Sequence, residues 1–186
     1  MATHPDITPA LVEELHAAAT RRAAFDRLTT AFLRPIYWHV RRLVVVHEEA
    51  EDVVQETFVK AYDRLESFRG GPGELSAWLY RIATRAAQTQ LRRRKRSLFA
   101  SLDEVGRELA ARVADEAGPD ADAIAVRFQQ AVLALPLKQR LVFNLRYYDE
   151  LPYAAIARIL DQKEETLKVN YHHAVENLKK RLRSYE

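Results

Sequence analysis

The chain has 186 residues, enough for one medium domain or two small ones, and its 48% hydrophobic content with 9% aromatics excludes wholesale disorder. Net charge is only +3, but the pI is about 9.2 and the cations are clustered, which points to an anionic partner. The absence of cysteine excludes disulfides and thiolate chemistry and suits a reducing cytosol. The longest aliphatic run, "LVVV" at 43–46, falls far short of the ~20 residues that span a bilayer. The start "MATHPDITPA" lacks the charged and apolar blocks of a secretion signal. These features predict a cytoplasmic protein without membrane insertion.

Nearly every segment reads as helix. Phe25, Leu28, Phe32, Ile36, Val40 and Leu43 recur at three- and four-residue steps, with Pro35 predicting a kink or a junction. A second helix buries Ala50, Val53, Val54, Phe58, Ala61 and Leu65. This leaves Glu51, Asp52, Gln55, Glu56 and Asp63 facing outward. That acidic face is either a solvated surface, with acids favoured in the first turn by the helix dipole, or a docking face for a basic protein. Charge alone does not separate the two.

"FRGGPGE" (68–74) breaks the helical pattern, and helix resumes from about Leu75 to Arg94 with Leu75, Leu79, Ile82 and Ala86 inward and Trp78 a further candidate for that face. The glycines have neither the following Gly-Lys-Ser/Thr nor the preceding strand of a phosphate loop. The segment is either an ordinary connector or a loop exposing Ser67, Phe68 and Arg69 to an unstacked base. "LRRRKR" (91–96) then places five cations in six residues, more than a helix C-terminus needs for its dipole, and phosphate binding accounts for the excess. Residues 97–122, rich in Ala, Asp and Glu with Gly118-Pro119, read as a flexible, partly helical linker.

Helices return in "AIAVRFQQAVLAL", stop near Pro136, and continue in "KQRLVFNLRYYDE", "PYAAIARIL" and "ETLKVNYHHAVENLKKRLR". A short helix marked by Ile156, Ala157 and Leu160, the turn "DQK", and a longer helix from about Glu164 give the spacing of a helix-turn-helix. At ~100° per residue, Leu167, Tyr171, Ala174 and Leu178 share one side, and Glu165, Lys168, Val169, His172 and Glu176 the other. The outer side suits a major groove, where Lys168 reaches a base or phosphate and Val169 a thymine methyl. The alternative is a hairpin with a solvated face. His172 and His173 with Glu176 give at most two aligned ligands on one helix, so no metal site is expected.

The fold class is therefore all-α: two small helical domains and a linker, with no β-alternation and no internal repeat. No set of His, Asp, Glu and Ser converges in a catalytic pattern, so neither an enzyme nor a cofactor is expected.

These residues together resemble a known family. "AEDVVQETFVKAYDRLESFRG", "WLYRIA" and "LRRRKR", with the upstream "FDRLTTAFLRPIY", look like region 2 of the extracytoplasmic-function sigma factors of bacterial RNA polymerase. "LPLKQRLVFNLRYYDELPYAAIARIL" and "ETLKVNYHHAVENLKKRL" resemble their region 4. The resemblance divides the chain into an N-terminal extension (1–21), region 2 (22–96), a linker (97–122) and region 4 (123–186). It implies a promoter-specificity subunit that recruits core polymerase and assists strand opening without ATP. A stand-alone helix-turn-helix regulator is the alternative, and it leaves the acidic face without a use.

By the same resemblance, Asp52, Gln55, Glu56 and Phe58 dock on the clamp helices of the largest polymerase subunit, with the polymerase flap as a further contact. Ser67, Phe68 and Arg69 in the loop, with Arg85, Thr89, Arg92, Arg93 and Arg94, face the minus-ten element. Arg85 and Thr89 stand where the family often carries Asn and Asp. Glu165, Lys168, Val169, His172 and His173 are the minus-thirty-five positions. An anti-sigma factor is a further candidate partner.

Overall fold

A computed structural model describes residues 7–96 and 123–183, and every regular element among them is helical. Helix α1 spans Pro9–His16, α2 Arg21–Arg41, α3 His47–Arg64 and α4 Pro72–Arg96. Beyond residue 122 come α5 (Ala123–Leu133), α6 (Leu137–Phe143), a π-helical turn (Asn144–Tyr148), α7 (Tyr153–Leu160) and α8 (Glu164–Arg183). The segment read as a linker lies outside the described residues.

The first four helices form a bundle around Leu15 of α1, Leu28, Phe32 and Ile36 of α2, Val53 and Ala61 of α3, and Leu75 and Leu79 of α4. All recur at helical spacing, so each helix presents one apolar stripe to the others. Residues 9–16, within the segment read as an extension, contribute Val12 and Leu15 to this core. Their helix starts with the Thr8 hydroxyl accepting from the Leu11 amide at 3.2 Å, ahead of Pro9 in the first turn.

Two local readings are narrowed or corrected. Of the kink or junction expected at Pro35, the junction is excluded, because helix α2 runs through it. Proline deprives the Ala31 carbonyl of its usual donor, and Ala31 is exposed, so solvent can take that donor's place. Helix α4 starts at Pro72 rather than Leu75, with Gly73 inside its first turn. A proline costs nothing in that turn because its missing N–H would have no partner there. The Glu74 carboxylate accepts from the Gly71 amide at 3.0 Å, which fixes the start.

The C-terminal helices have a small core of their own, with Ala131, Val132, Leu135, Phe143, Ala174 and Leu178. Leu141, Leu145, Ile156, Ile159 and Leu167 belong instead to the larger core of the first bundle. Helix α7 is the reason: it packs against α4 as well as α8. The two halves thus meet along α7 and α4.

Candidate polymerase and nucleic-acid interfaces

Three surfaces gather the residues singled out in the sequence. The first lies on α2 and α3. Glu51, Asp52, Gln55 and Asp63 are exposed as expected, and Glu56 is half-buried in an ion pair with Lys60 one turn on. Phe58 is only 8% exposed, yet it lines a groove of about 730 Å³ with Leu33, Val54 and Val59. Its polar lining is mixed: Glu51 and Gln55 from α3, and Thr29, Thr30, Arg34 and Tyr37 from α2. Leu33 and Val59 were missed by the sequence reading, and they are 51% and 56% exposed. Their signal was present: each is a large apolar residue where the helical period predicts a polar one.

The second surface is a cleft of about 500 Å³ between the end of α3 and the face of α4. Lys60, Arg64 and Ser67 line one side, and Trp78, Arg81, Arg85 and Thr89 the other. Lys60 and Arg64, like Arg81 and Arg85, are four residues apart, so each pair stacks along one helix face. That spacing would have revealed Lys60, Arg64 and Arg81 in the sequence. Thr89 donates to the Arg85 carbonyl at 2.9 Å and accepts from Arg92 at 3.2 Å, which ties Arg92 to a residue of the cleft lining. Arg92 and Arg93 are exposed, whereas Arg94 turns back to Glu49 at 3.2 Å.

The loop before the cleft differs from expectation in one residue. Phe68 is not exposed for stacking: it is 6% exposed, its ring 5.1 Å from that of Trp78 and stacked at 6.2 Å on His16. Gly70 makes this possible, because a Cβ there would lie 2.7 Å from the Phe68 ring and 2.6 Å from the Glu74 Cβ. The aromatic that faces the cleft is Trp78. Ser67 donates to the Arg64 carbonyl at 2.7 Å. The Arg69 guanidinium donates to the Phe68 carbonyl at 2.9 Å, so it braces the turn it belongs to.

The third surface is the outer face of α8. Asp161 ends α7 in the left-handed region at φ 56°, a conformation that Asp tolerates and that reverses the chain into the turn. Leu167, Ala174 and Leu178 are buried and Tyr171 half-buried, while Glu165, Lys168, Val169, His172 and His173 are exposed. Burial raises the Tyr171 phenol pKa, keeping it a neutral wall beneath the outer face. Val169 is 54% exposed, and Lys168 Nζ lies 5.8 Å from the Tyr153 ring centroid. The His172 and His173 rings are 6.1 Å apart. Glu176 bonds Lys179 at 3.0 Å, which lowers its carboxyl pKa and leaves it oriented along the helix. Among the described residues no three His, Asp or Glu side chains gather as metal ligands, and no helix is long and apolar enough to cross a membrane.

Comparison with known proteins agrees with this arrangement. The family model for Sigma-70 region 2 matches residues 28–97, and that for Sigma-70 region 4 matches residues 125–178. The chain is 33% identical over 168 residues to the ECF RNA polymerase sigma factor SigW of Bacillus subtilis (strain 168), covering 86% of this chain and 89% of that protein. Its fold resembles that of CnrH in complex with the cytosolic domain of CnrY, with a TM-score of 0.72 at 20% identity, over 96% of this chain and 98% of that one. It also resembles the sigma factor RpoE from Bartonella quintana, co-crystallised with the anti-sigma factor NepR. There the TM-score is 0.65 at 25% identity, over 86% of this chain and 96% of that one. With the region 2 and region 4 matches in order on one chain, and relatives that align along most of its length, the protein belongs to the extracytoplasmic-function group of the sigma-70 family and is an alternative sigma factor for transcription initiation.

Proposed function

We propose that this sigma factor divides its work among the three surfaces. The α2–α3 groove with Asp52, Gln55, Glu56 and Phe58 holds the clamp helices of core RNA polymerase, the apolar floor burying side chains and the acids meeting basic residues. The cation-lined cleft takes the minus-ten element: Lys60, Arg64, Arg81 and Arg85 attract phosphates, and Trp78 offers a face to an unstacked base. Ser67 and Arg69 shape the loop that borders it, and Phe68 supports that loop from beneath. The outer face of α8 reads the minus-thirty-five element through Lys168, Val169, His172 and His173, with Glu165 at its leading end. Strand opening follows from capture of melted DNA in the cleft, without bond making or ATP, in the cytoplasm where polymerase and chromosome meet. The co-crystal of the relative RpoE with NepR supports an anti-sigma protein as a further partner.

The observation that carries this reading is a cleft of four cations and one aromatic on the same chain as α8, whose outer face is exposed. Run-off transcription with core polymerase and a promoter library tests it. Sequence-selective transcripts are expected only when this protein is added. DNA binding without core polymerase, and no transcript with it, would favour the stand-alone regulator instead.

A further inference from the structure

Helix α1 lies outside the region 2 match, yet its last turn reaches the loop that borders the cleft. The final four carbonyls of a helix have no partner within it, and at the end of α1 all four find one elsewhere. The Glu13 carbonyl accepts from the Ala17 amide at 3.1 Å and the Glu14 carbonyl from the Thr20 hydroxyl at 2.8 Å. Arg21 takes the other two: its Nε donates to the Leu15 carbonyl and its Nη2 to the His16 carbonyl, both at 3.2 Å. With the Leu15 side chain in the core, the end of α1 is a fixed platform.

Two contacts run from this platform to the loop. The remaining guanidinium nitrogen of Arg21, Nη1, donates at 2.5 Å to the Glu66 carboxylate, in the short 3-10 turn Leu65–Ser67. The guanidinium is already oriented by two carbonyls, so little freedom is lost in holding Glu66. The Glu66 carbonyl in turn accepts from Arg69, which holds the same residue from the loop side. The second contact is His16 itself. Its ring lies parallel to that of Phe68, the planes 6° apart, and the Phe68 ring lies 5.1 Å from that of Trp78. His16, Phe68 and Trp78 thus form a pile of three rings, exposed at the His16 end and facing the cleft at the Trp78 end. Removing the His16 ring uncovers one side of Phe68, and a packed ring relaxes toward a vacated neighbour.

We infer that His16 and Arg21 are positioning residues for promoter opening: they set the placement of Trp78 and the path of the loop where an unstacked base is captured. The inference deepens, and rests on, the minus-ten reading of the cleft given above. Neither side chain lines the cleft, and both act through Phe68 and Glu66. A loop held less firmly spends less time in the capturing geometry, and its apparent affinity for the base falls by that fraction.

The test uses the full-length chain assembled with core polymerase and two DNA probes from a promoter that it transcribes. One is a fork whose minus-ten non-template strand is single and carries 2-aminopurine; the other is a duplex with the upstream element alone. His16→Ala should weaken fork binding about fivefold, the factor one aromatic pair supplies, with affinity for core polymerase and for the upstream duplex unchanged. His16→Phe, which keeps a ring for stacking, should restore fork binding. Arg21→Gln should weaken it in the same direction as His16→Ala, and the His16 series decides the matter if Arg21→Gln fails to fold. Because the effect passes through Trp78, His16→Ala should cost nothing further in a Trp78→Ala background. Unchanged fork binding in folded His16→Ala would overturn the inference. So would equal losses on fork, upstream duplex and core polymerase, which mark a merely structural role, or a His16→Phe no better than His16→Ala, or full additivity with Trp78→Ala. A wild-type holoenzyme that binds a scrambled fork equally well, or a Trp78→Ala variant with unaltered fork binding, would strike the minus-ten reading itself, so the two failures are distinguishable.

Discussion

The basic run at the end of α4 supports a prediction that distinguishes arginines adjacent in sequence. Arg92 and Arg93 are exposed, while Arg94 is tied to Glu49 at 3.2 Å with side-chain exposure of only 16%. A cation that neutralises a duplex phosphate adds ~0.9 to the log–log salt slope of binding. Three equivalent arginines would therefore contribute ~2.7, but two of them are exposed, giving ~1.8. Over a fourfold rise in salt, a slope of 1.8 is about a 12-fold change in binding constant. The Arg92→Ala/Arg93→Ala double variant should thus lose about 12-fold less affinity than wild type between 50 and 200 mM salt. Arg94→Ala alone should leave the slope nearly unchanged, and Glu49→Gln should steepen it by up to ~0.9 by releasing Arg94. The assay is holoenzyme binding to a fluorescent promoter duplex across a salt series. An Arg94→Ala effect as large as that of Arg93→Ala would refute the assignment of Arg94 to Glu49. An unaltered slope in the double variant would make the run a helix terminus and nothing more.

Other expected outcomes follow from burial. Asp52→Arg, on the open face of α3, should weaken binding to core polymerase with an unchanged melting temperature; equal affinity in a titration of labelled protein would remove that face from the interface. Phe68→Ala should destabilise the first bundle by ~3 kcal/mol, as large-to-small changes in a core do, whereas Trp78→Ala should chiefly impair promoter opening. Thermal denaturation beside permanganate footprinting separates the two, and a fold loss confined to Trp78→Ala would reverse the roles. Lys168→Ala and His172→Ala should each cost ~1–3 kcal/mol on the preferred minus-thirty-five sequence and less on a scrambled one. Equal losses on every sequence would leave only phosphate contacts for that face.

Much of this protein was legible in one dimension. The stripes at Phe25–Val40, Ala50–Leu65 and Leu75–Ala86 are buried, and Leu167, Ala174 and Leu178 separate from Lys168, Val169 and His172. A helix face follows from a period of 3.6 residues, which is local, and the left-handed turn at Asp161 is likewise a property of one residue and its neighbours. The motif order carried the family, because docking and DNA reading need specific side chains at fixed helical spacing. Tertiary structure decided the rest. Phe68 is buried because Trp78, His16 and Gly70 close around it, and Arg94 is occupied because α3 brings Glu49 alongside. The cleft exists because α3 and α4 set Lys60 and Arg64 opposite Arg81 and Arg85. His39 and Asp149, 110 positions apart, have no local pattern that pairs them. Their contact depends on where α7 docks, and docking is a sum over many weak apolar contacts that no short window of sequence contains.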